Sequence, residues 1–285
     1  MRICVVGLGL IGGSMCMALR RAGEKADGYN RSEKALSFAL KNKIIDRAAT
    51  DFLNYDVVIV ALPPKATVDF ITSTKFAPDA IVSDICGVKK LIEDEVYSAN
   101  LPIRYVGLHP MAGKEVSGIE NACEDLFDRA SMVITHGART DKAAVETLKK
   151  LTKDMGFKRI VECSAEVHDK KIAYTSQLAH IVSNCYVKDK TVESCLGFTG
   201  GSFQDMTRIA GVDEKLWSEL YLANAANLSQ NIDLLAANLS DISKALKAGD
   251  KQALEELLRI GREQFVSGKA NSFSDGQIKT TLLHE

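Results

Sequence analysis

The sequence has almost no net charge, no paired cysteines, and no long apolar run beyond its first twenty residues. Lys and Arg total 36 and Asp and Glu 37, a balance of −1. That balance gives no global field for nucleic acid and argues against a dedicated nucleic-acid binder. Cys4, Cys16, Cys86, Cys123, Cys163, Cys185 and Cys195 are scattered and odd in number, and none forms a CxxC pair. This argues against a disulfide framework or structural zinc, points to a reducing, cytoplasmic compartment, and leaves the cysteines mostly as small packing residues. The early apolar run, residues 3–19, does not read as a signal peptide. Arg20 and Arg21 follow it, glycines interrupt it, and no A-x-A site ends it. No later stretch reads as a membrane span, and there is no internal repeat or low-complexity segment. The expectation is a protein with no nucleic-acid, membrane or metal partner.

What is present is a globular composition, 46% hydrophobic and 26% charged, over 285 residues, a length that fits two domains. Residues 2–6 read as a buried strand. Gly7-Leu8-Gly9-Leu10-Ile11-Gly12 follows directly, then a helix with Met15, Ala18 and Leu19 at helical spacing. Strand, G-x-G-x-x-G and helix in that order specify a dinucleotide-binding turn. Gly7 allows the tight turn, Gly9 lets backbone approach a pyrophosphate, and Gly12 lets the helix pack closely. The helix start offers free N–H groups to the phosphates.

The alternation continues with strands at residues 26–29, 57–62, 80–84, 105–108, 131–134 and 159–161. Helices lie between, including one opened by Pro63-Pro64 and one over 141–155 ending at Gly156. This predicts an α/β fold: a Rossmann-like, doubly wound parallel sheet over residues 1–163. After Ser164 the strands stop. Helices are expected over 165–189, 216–246 and 251–266, and 269–285 reads as a tail. An all-α domain over 164–285 is expected, and its long apolar helices predict a homodimer.

Four segments carry chemistry: residues 82–90, 107–118, 176–180 and 197–210. His109 follows a strand at the sheet edge where ligands bind, and its pKa range suits taking a substrate hydroxyl proton. His180 lies mid-helix with Gln177 and Ser176 on its face. Arg208 follows a run rich in glycine and phenylalanine and reads as a carboxylate clamp.

HPMAGKEVSG at 109–118, GGSFQDMTRIA at 200–210 and the following Trp217 resemble the prephenate/arogenate dehydrogenase family of tyrosine biosynthesis. The resemblance runs from the glycine loop to about Asn224. It implies NAD(P)-dependent oxidative decarboxylation of prephenate or arogenate. By motif position, His109 would accept the 4-hydroxyl proton and Arg208 would bind a substrate carboxylate. His180 would line the pocket and Glu115 would act in a polar network at its mouth. The chain departs from the family at Gly87, where relatives often carry a serine able to bond the catalytic histidine, so water, backbone or Ser83 would substitute. It also departs at Gln177, which replaces the first histidine of an SHLPH segment. The length leaves no room for a fused regulatory or mutase domain. Two other readings stay open: a dehydrogenase of the β-hydroxyacid type, and a non-catalytic nucleotide sensor.

The residues expected at the cofactor are Gly7, Gly9, Leu10, Ile11 and Gly12, with Leu62 and Pro63 at the third strand's end and Asn30, Arg31 and Ser32 at the second's. An NAD site usually has an acidic residue there. Here that place falls on neutral Asn30 beside Arg31, which favours NADP. NAD stays open if Asp27 is the acidic reader.

Overall fold

The computed structural model describes residues 1–272, with side chains described through residue 268. It divides into a unit of Met1–Leu228 and a second beginning at Ser229. The first unit opens with β1 (Ile3–Val6), α1 (Leu10–Arg21), β2 (Ala26–Tyr29), α2 (Glu33–Lys41), β3 (Val57–Val60), α3 (Pro64–Ser73), β4 (Ile81–Asp84), α4 (Lys90–Ser98) and β5 (Arg104–Pro110). It continues with β6 (Ser131–Thr135), α5 (Lys142–Asp154) and β7 (Arg159–Cys163). The strands form one seven-stranded sheet in the order β2-β1-β3-β4-β5-β6-β7.

Strand alternation sorts the core. Ile3, Val5, Val57 and Ile59 pack on one face, and Cys4, Val6, Val58 and Val60 on the other. Both faces are covered, so these strands are apolar throughout, as the sequence implied. Cys4, Cys16 and Cys86 are buried packing residues, while Cys185 is exposed. Burial, with Asp27 nearby, pushes the Cys4 thiol up to about 12.

The doubly wound sheet is as expected, with one reversal. β5 and β6 pair antiparallel. A parallel return needs a crossover element, and between β5 and β6 there is only a 3₁₀ turn at Ile119–Asn121. The same pairing lengthens β5, because His109 pairs with Val133 and Pro110 with Met132. His109 therefore lies inside the strand's last turn of ladder, not just past it.

After β7 come α6 (Ala165–Ile172), a π-helical turn at Ala173–Gln177, α7 (Leu178–Tyr186), α8 (Gly201–Thr207), α9 (Glu214–Ala223), α10 (Ala225–Ala248) and α11 (Lys251–Ser272). Two helices read as continuous are interrupted. The expected helix over 165–189 contains the π turn, and the one over 216–246 breaks at Asn224. The Asn224 side chain bonds Gln177 and the Asp169 carbonyl, both at 2.8 Å. α11 reaches Ser272, so part of the expected tail is helical, and residues 273–285 lie outside the described residues. In the second unit, Gly249 at φ 66° makes the turn between α10 and α11. Among the described residues no helix is long and apolar enough to cross a membrane.

The sheet's carboxyl edge is built around a buried ion pair. Lys89 and Asp84 side chains are both fully buried and paired. Asp84 also accepts from the Tyr105 hydroxyl at 2.6 Å and the Cys86 N–H at 2.8 Å. Removing one partner of such a pair strands a buried charge, which costs about 3–5 kcal/mol. Lys89→Met should lower stability by about that amount, read by urea unfolding. A loss under about 1 kcal/mol would show the pair to be energetically idle.

Candidate active site

The glycine loop joins β1 to α1. Gly7 has φ 94°, and a Cβ there would stand 2.3 Å from the Ala61 carbonyl oxygen. A Cβ at Gly12 would stand 2.0 Å from the Gly7 carbonyl oxygen, so α1 presses directly on the loop. A Cβ at Gly9 would meet nothing within 4 Å. Gly9 is also the N-cap of α1 and offers no side-chain acceptor to the helix. Free N–H groups above open space suit a dinucleotide diphosphate. Leu10 and Ile11 form the first turn, and Leu62 and Pro63 stand beside the loop at the end of β3, where a Gly7 Cβ would also meet Leu62 Cδ2.

At the end of β2, Asn30 Oδ1 accepts from the Leu8 N–H at 3.1 Å and so braces the loop. Ser32 caps α2 by accepting from the Ala35 N–H at 3.3 Å, and Arg31 is exposed. Asp27 lies earlier in the strand, paired with Cys4 in the ladder. It accepts from the Tyr55 hydroxyl at 2.9 Å and pairs with Arg47 at 3.4 Å. Asp27 is thus engaged away from the strand's carboxyl end, and Asn30 holds the position there.

His109 is joined to two residues that the sequence reading missed. Its Nδ1 lies 2.8 Å from Nε2 of His168, and His168 Nδ1 lies 2.7 Å from Asp169 Oδ1. Asp169 in turn accepts the backbone N–H groups of Lys89 at 2.8 Å and Lys90 at 3.0 Å, which caps α4. His168 and Asp169 are buried. The only sequence signal was an adjacent His-Asp on the inner face of an amphipathic helix, which reads equally well as packing.

Gly87 borders the other side of the His109 ring. A Cβ there would sit 3.8 Å from His109 Nε2, at ordinary contact distance. Ser83 does not replace the missing serine. Its hydroxyl is buried without a hydrogen-bond partner among the described residues.

Glu115, His180 and Arg208 come together in a cleft of about 660 Å³, which also takes in Ser176, Asp213 and Trp217. His109 is not among its walls. Arg208 pairs with Glu115 at 3.1 Å, and both side chains are more than half exposed. His180 donates from Nδ1 to the Ile209 carbonyl at 3.0 Å and packs on Trp217 with centroids 4.0 Å apart. Gln177 turns away from this cleft, toward Asn224 and Leu220. Among the described residues no cluster of three or more His, Cys, Asp or Glu is placed to hold a metal.

Residues 15–161 match the profile of the prephenate dehydrogenase nucleotide-binding domain, and residues 164–260 match that of the prephenate dehydrogenase dimerization domain. The chain belongs to the prephenate dehydrogenase family. It is 31% identical to the prephenate dehydrogenase of Bacillus subtilis (strain 168), over 92% of this chain and 74% of the relative. The A. aeolicus prephenate dehydrogenase, solved with hydroxyphenyl propionate and NAD+, superposes with a TM-score of 0.82 at 27% identity, covering 94% of this chain and 98% of that one. Synechocystis arogenate dehydrogenase gives 0.76 at 26% identity, covering 96% and 100%. Membership brings the family's chemistry: nicotinamide-dependent oxidative decarboxylation of prephenate or arogenate. The enzymatic reading stands over the nucleotide-sensor alternative. The family profile begins at residue 15, so the glycine loop rests on its own geometry.

Burial first, then His168 and Lys89, holds His109 well below the usual histidine range. Burial also lowers His168, against the pull of Asp169. Below about pH 6.5 the unfolded chain takes up protons that the folded chain refuses. This stability is complete above that pH and is lost as pH falls. Urea midpoints should therefore drop between about pH 7.5 and 5.5. A level or rising midpoint across that window would contradict the burial of two neutral imidazoles.

Proposed function

We propose that the chain converts prephenate to 4-hydroxyphenylpyruvate or arogenate to tyrosine, with residues 1–163 holding the cofactor and 164–285 forming the helical substrate and dimerisation domain. The observation that carries the residue assignment is the placement of His109 at the carboxyl end of β5, held through Nδ1 and bordered at Nε2 by a glycine. In the reaction the substrate gives up hydride from C4, CO₂ from the ring and the 4-hydroxyl proton, and the ring becomes aromatic. When bound, the nicotinamide accepts the hydride. The chain orients the substrate and removes one proton.

His109 is the base for that proton. Its lowered pKa keeps it neutral and able to accept at neutral pH. Arg208 binds a substrate carboxylate at the cleft. Its pair with Glu115 is solvent-exposed, a kind worth about 0–1 kcal/mol, so exchanging Glu115 for substrate costs little. Glu115 keeps the guanidinium at the mouth until then. His180, fixed by Ile209 and Trp217, lines the pocket. His109→Ala should lower kcat by about 10²-fold or more with cofactor affinity little changed. Arg208→Ala should instead raise KM, with about 2–4 kcal/mol lost in kcat/KM, only partly recovered in Arg208→Lys. Following NADH or NADPH absorbance with prephenate and with arogenate checks both. Wild-type kcat in His109→Ala would remove the base assignment.

The cofactor reading favours NADP. Asn30 presents no charge to a 2′-phosphate, Arg31 is exposed beside it, and Asp27 is occupied elsewhere. The Ser32 oxygen accepts from the helix it caps, which leaves its O–H free to donate. kcat/KM should be higher with NADP⁺, and Arg31→Ala should lower NADP⁺ use by about tenfold or more while sparing NAD⁺. A wild-type preference for NAD⁺ would reverse this reading of β2.

A cytoplasmic homodimer fits the same picture. The seven cysteines carry no disulfide. α10 and α11 expose Leu234, Leu239, Leu246 and Phe265, a surface suited to a second copy of the chain.

A further inference from the structure

His109 has two ring nitrogens, and a base needs one of them bare. Nδ1 is taken up by His168 Nε2. Which of those two atoms carries the hydrogen is decided one step further back. A carboxylate oxygen only accepts. Asp169 Oδ1 faces His168 Nδ1, and both Asp169 oxygens already take backbone N–H groups from the start of α4. His168 Nδ1 therefore carries its hydrogen and donates it to Asp169. A neutral His168 then has a bare Nε2, which must accept from His109. That places the hydrogen of His109 on Nδ1 and leaves the lone pair on Nε2, the nitrogen beside Gly87.

The geometry points to His168 and Asp169 as positioning residues that fix His109 in its Nδ1–H tautomer and hold Nε2 ready for the substrate hydroxyl. This rests on the assignment of His109 as the base. In the proton step the substrate O–H bond breaks, an N–H bond forms at His109 Nε2, and the electron pair left on oxygen enters the aromatising ring. The imidazolium charge that appears on His109 faces His168 and, behind it, the Asp169 carboxylate. The proton then leaves to solvent.

Other charged groups around the histidines are accounted for. From α4, Lys89 is paired with Asp84 of β4, which also takes the Tyr105 hydroxyl of β5. The Lys89 charge and burial both favour neutral imidazoles, as the tautomer argument needs. The neighbours on the Gly87 side, Gly87 and Leu220 of α9, carry no charge. Removing a serine from the usual family position leaves His168 as the one side chain bonded to His109 among the described residues.

The test reads the tautomer directly. Long-range ¹H–¹⁵N spectra of the full chain, labelled at histidine and held near pH 7.5, should show His109 protonated at Nδ1 and bare at Nε2; His109→Gln assigns the signal. Asp169→Asn keeps the shape but removes the charge and replaces one acceptor oxygen with an amide N–H, which must face one of the donors now bound there. The acceptor-only group that enforces the Nδ1–H tautomer of His109 is then lost. In that variant kcat should fall about 10²- to 10⁴-fold, the scale seen when a base is locked in the wrong tautomer. KM for prephenate or arogenate should stay within about threefold, as expected when only the transition state loses an interaction. Asp169→Glu, which keeps an acceptor-only group, should recover part of the loss. A wild-type spectrum with His109 as Nε2–H overturns the proposal, whether or not Asp169→Asn folds. So does an Asp169→Asn enzyme with undiminished kcat. If His109→Ala abolishes turnover while Asp169→Asn does not, the base stands and the relay falls. If wild type turns over neither substrate, the functional reading falls and the spectrum alone decides the relay.

Discussion

The carboxylate of Asp169 closes the amino end of α4, about eighty residues away in sequence, and the helical segment is registered on the sheet through that joint. A helix start leaves several N–H groups without partners and carries partial positive charge. The chain treats the helix starts around its sheet unequally. α2 is capped by its own Ser32 and α5 by its own Asp141. α3 is closed from a distance by Glu219 of α9, which accepts the Lys65 N–H, and α4 by Asp169 of α6. α1 alone among these five has no side-chain acceptor at its start. An anionic diphosphate approaching the sheet's carboxyl edge therefore finds one open helix end, the one behind the glycine loop. The two distant caps, on α3 and α4, also dock the helical segment on the sheet.

The same region solves a second electrostatic problem. For His109 as the proposed base, burial or a nearby cation favours the neutral form, and a nearby anion would stabilise the charge that appears on proton uptake. Lys89 and burial supply the first at His109. Asp169, two bonds of the relay away, supplies the second without being close enough to hold His109 protonated in the resting state. Lys89 itself is tolerated in the interior because Asp84 pairs with it and the Tyr105 hydroxyl and Cys86 N–H complete the hydrogen bonds of Asp84.

The strands, the glycine loop and the motifs that carry His109, His180 and Arg208 were legible in sequence because each has a local signature: an apolar run, fixed glycine spacing, a motif. Three features were not. The reversal at β6 depends on the missing crossover helix in residues 111–130, which reads as an ordinary loop until the strands are paired. The break at Asn224 depends on long-range bonds to Gln177 and Asp169. The third is the π turn at Ala173–Gln177, which has no sequence period of its own. Twelve positions separate His168 from His180. On an unbroken α-helix they would point about 120° apart, since each residue turns about 100°. A π turn absorbs about one residue and brings them to roughly 20°. With 3.6-residue spacing assumed, His168 falls off the face that carries His180, so the sequence pattern does not bring the two together.

That turn also divides the labour along one helical rod. On its first half, His168 and Asp169 are buried, bonded at every ring nitrogen and oxygen that faces protein, and costly to move. On its second half, His180 looks into a cleft whose charged pair, Arg208 and Glu115, lies in solvent. An exposed ion pair contributes little and exchanges partners readily, whereas a buried network tolerates one arrangement. The proposed carboxylate clamp belongs to the first kind, and the proposed base with its tautomer belongs to the second. The π turn lets a single element carry both arrangements, a rigid buried network at His168 and Asp169 and, beside His180, an exposed pair that exchanges partners.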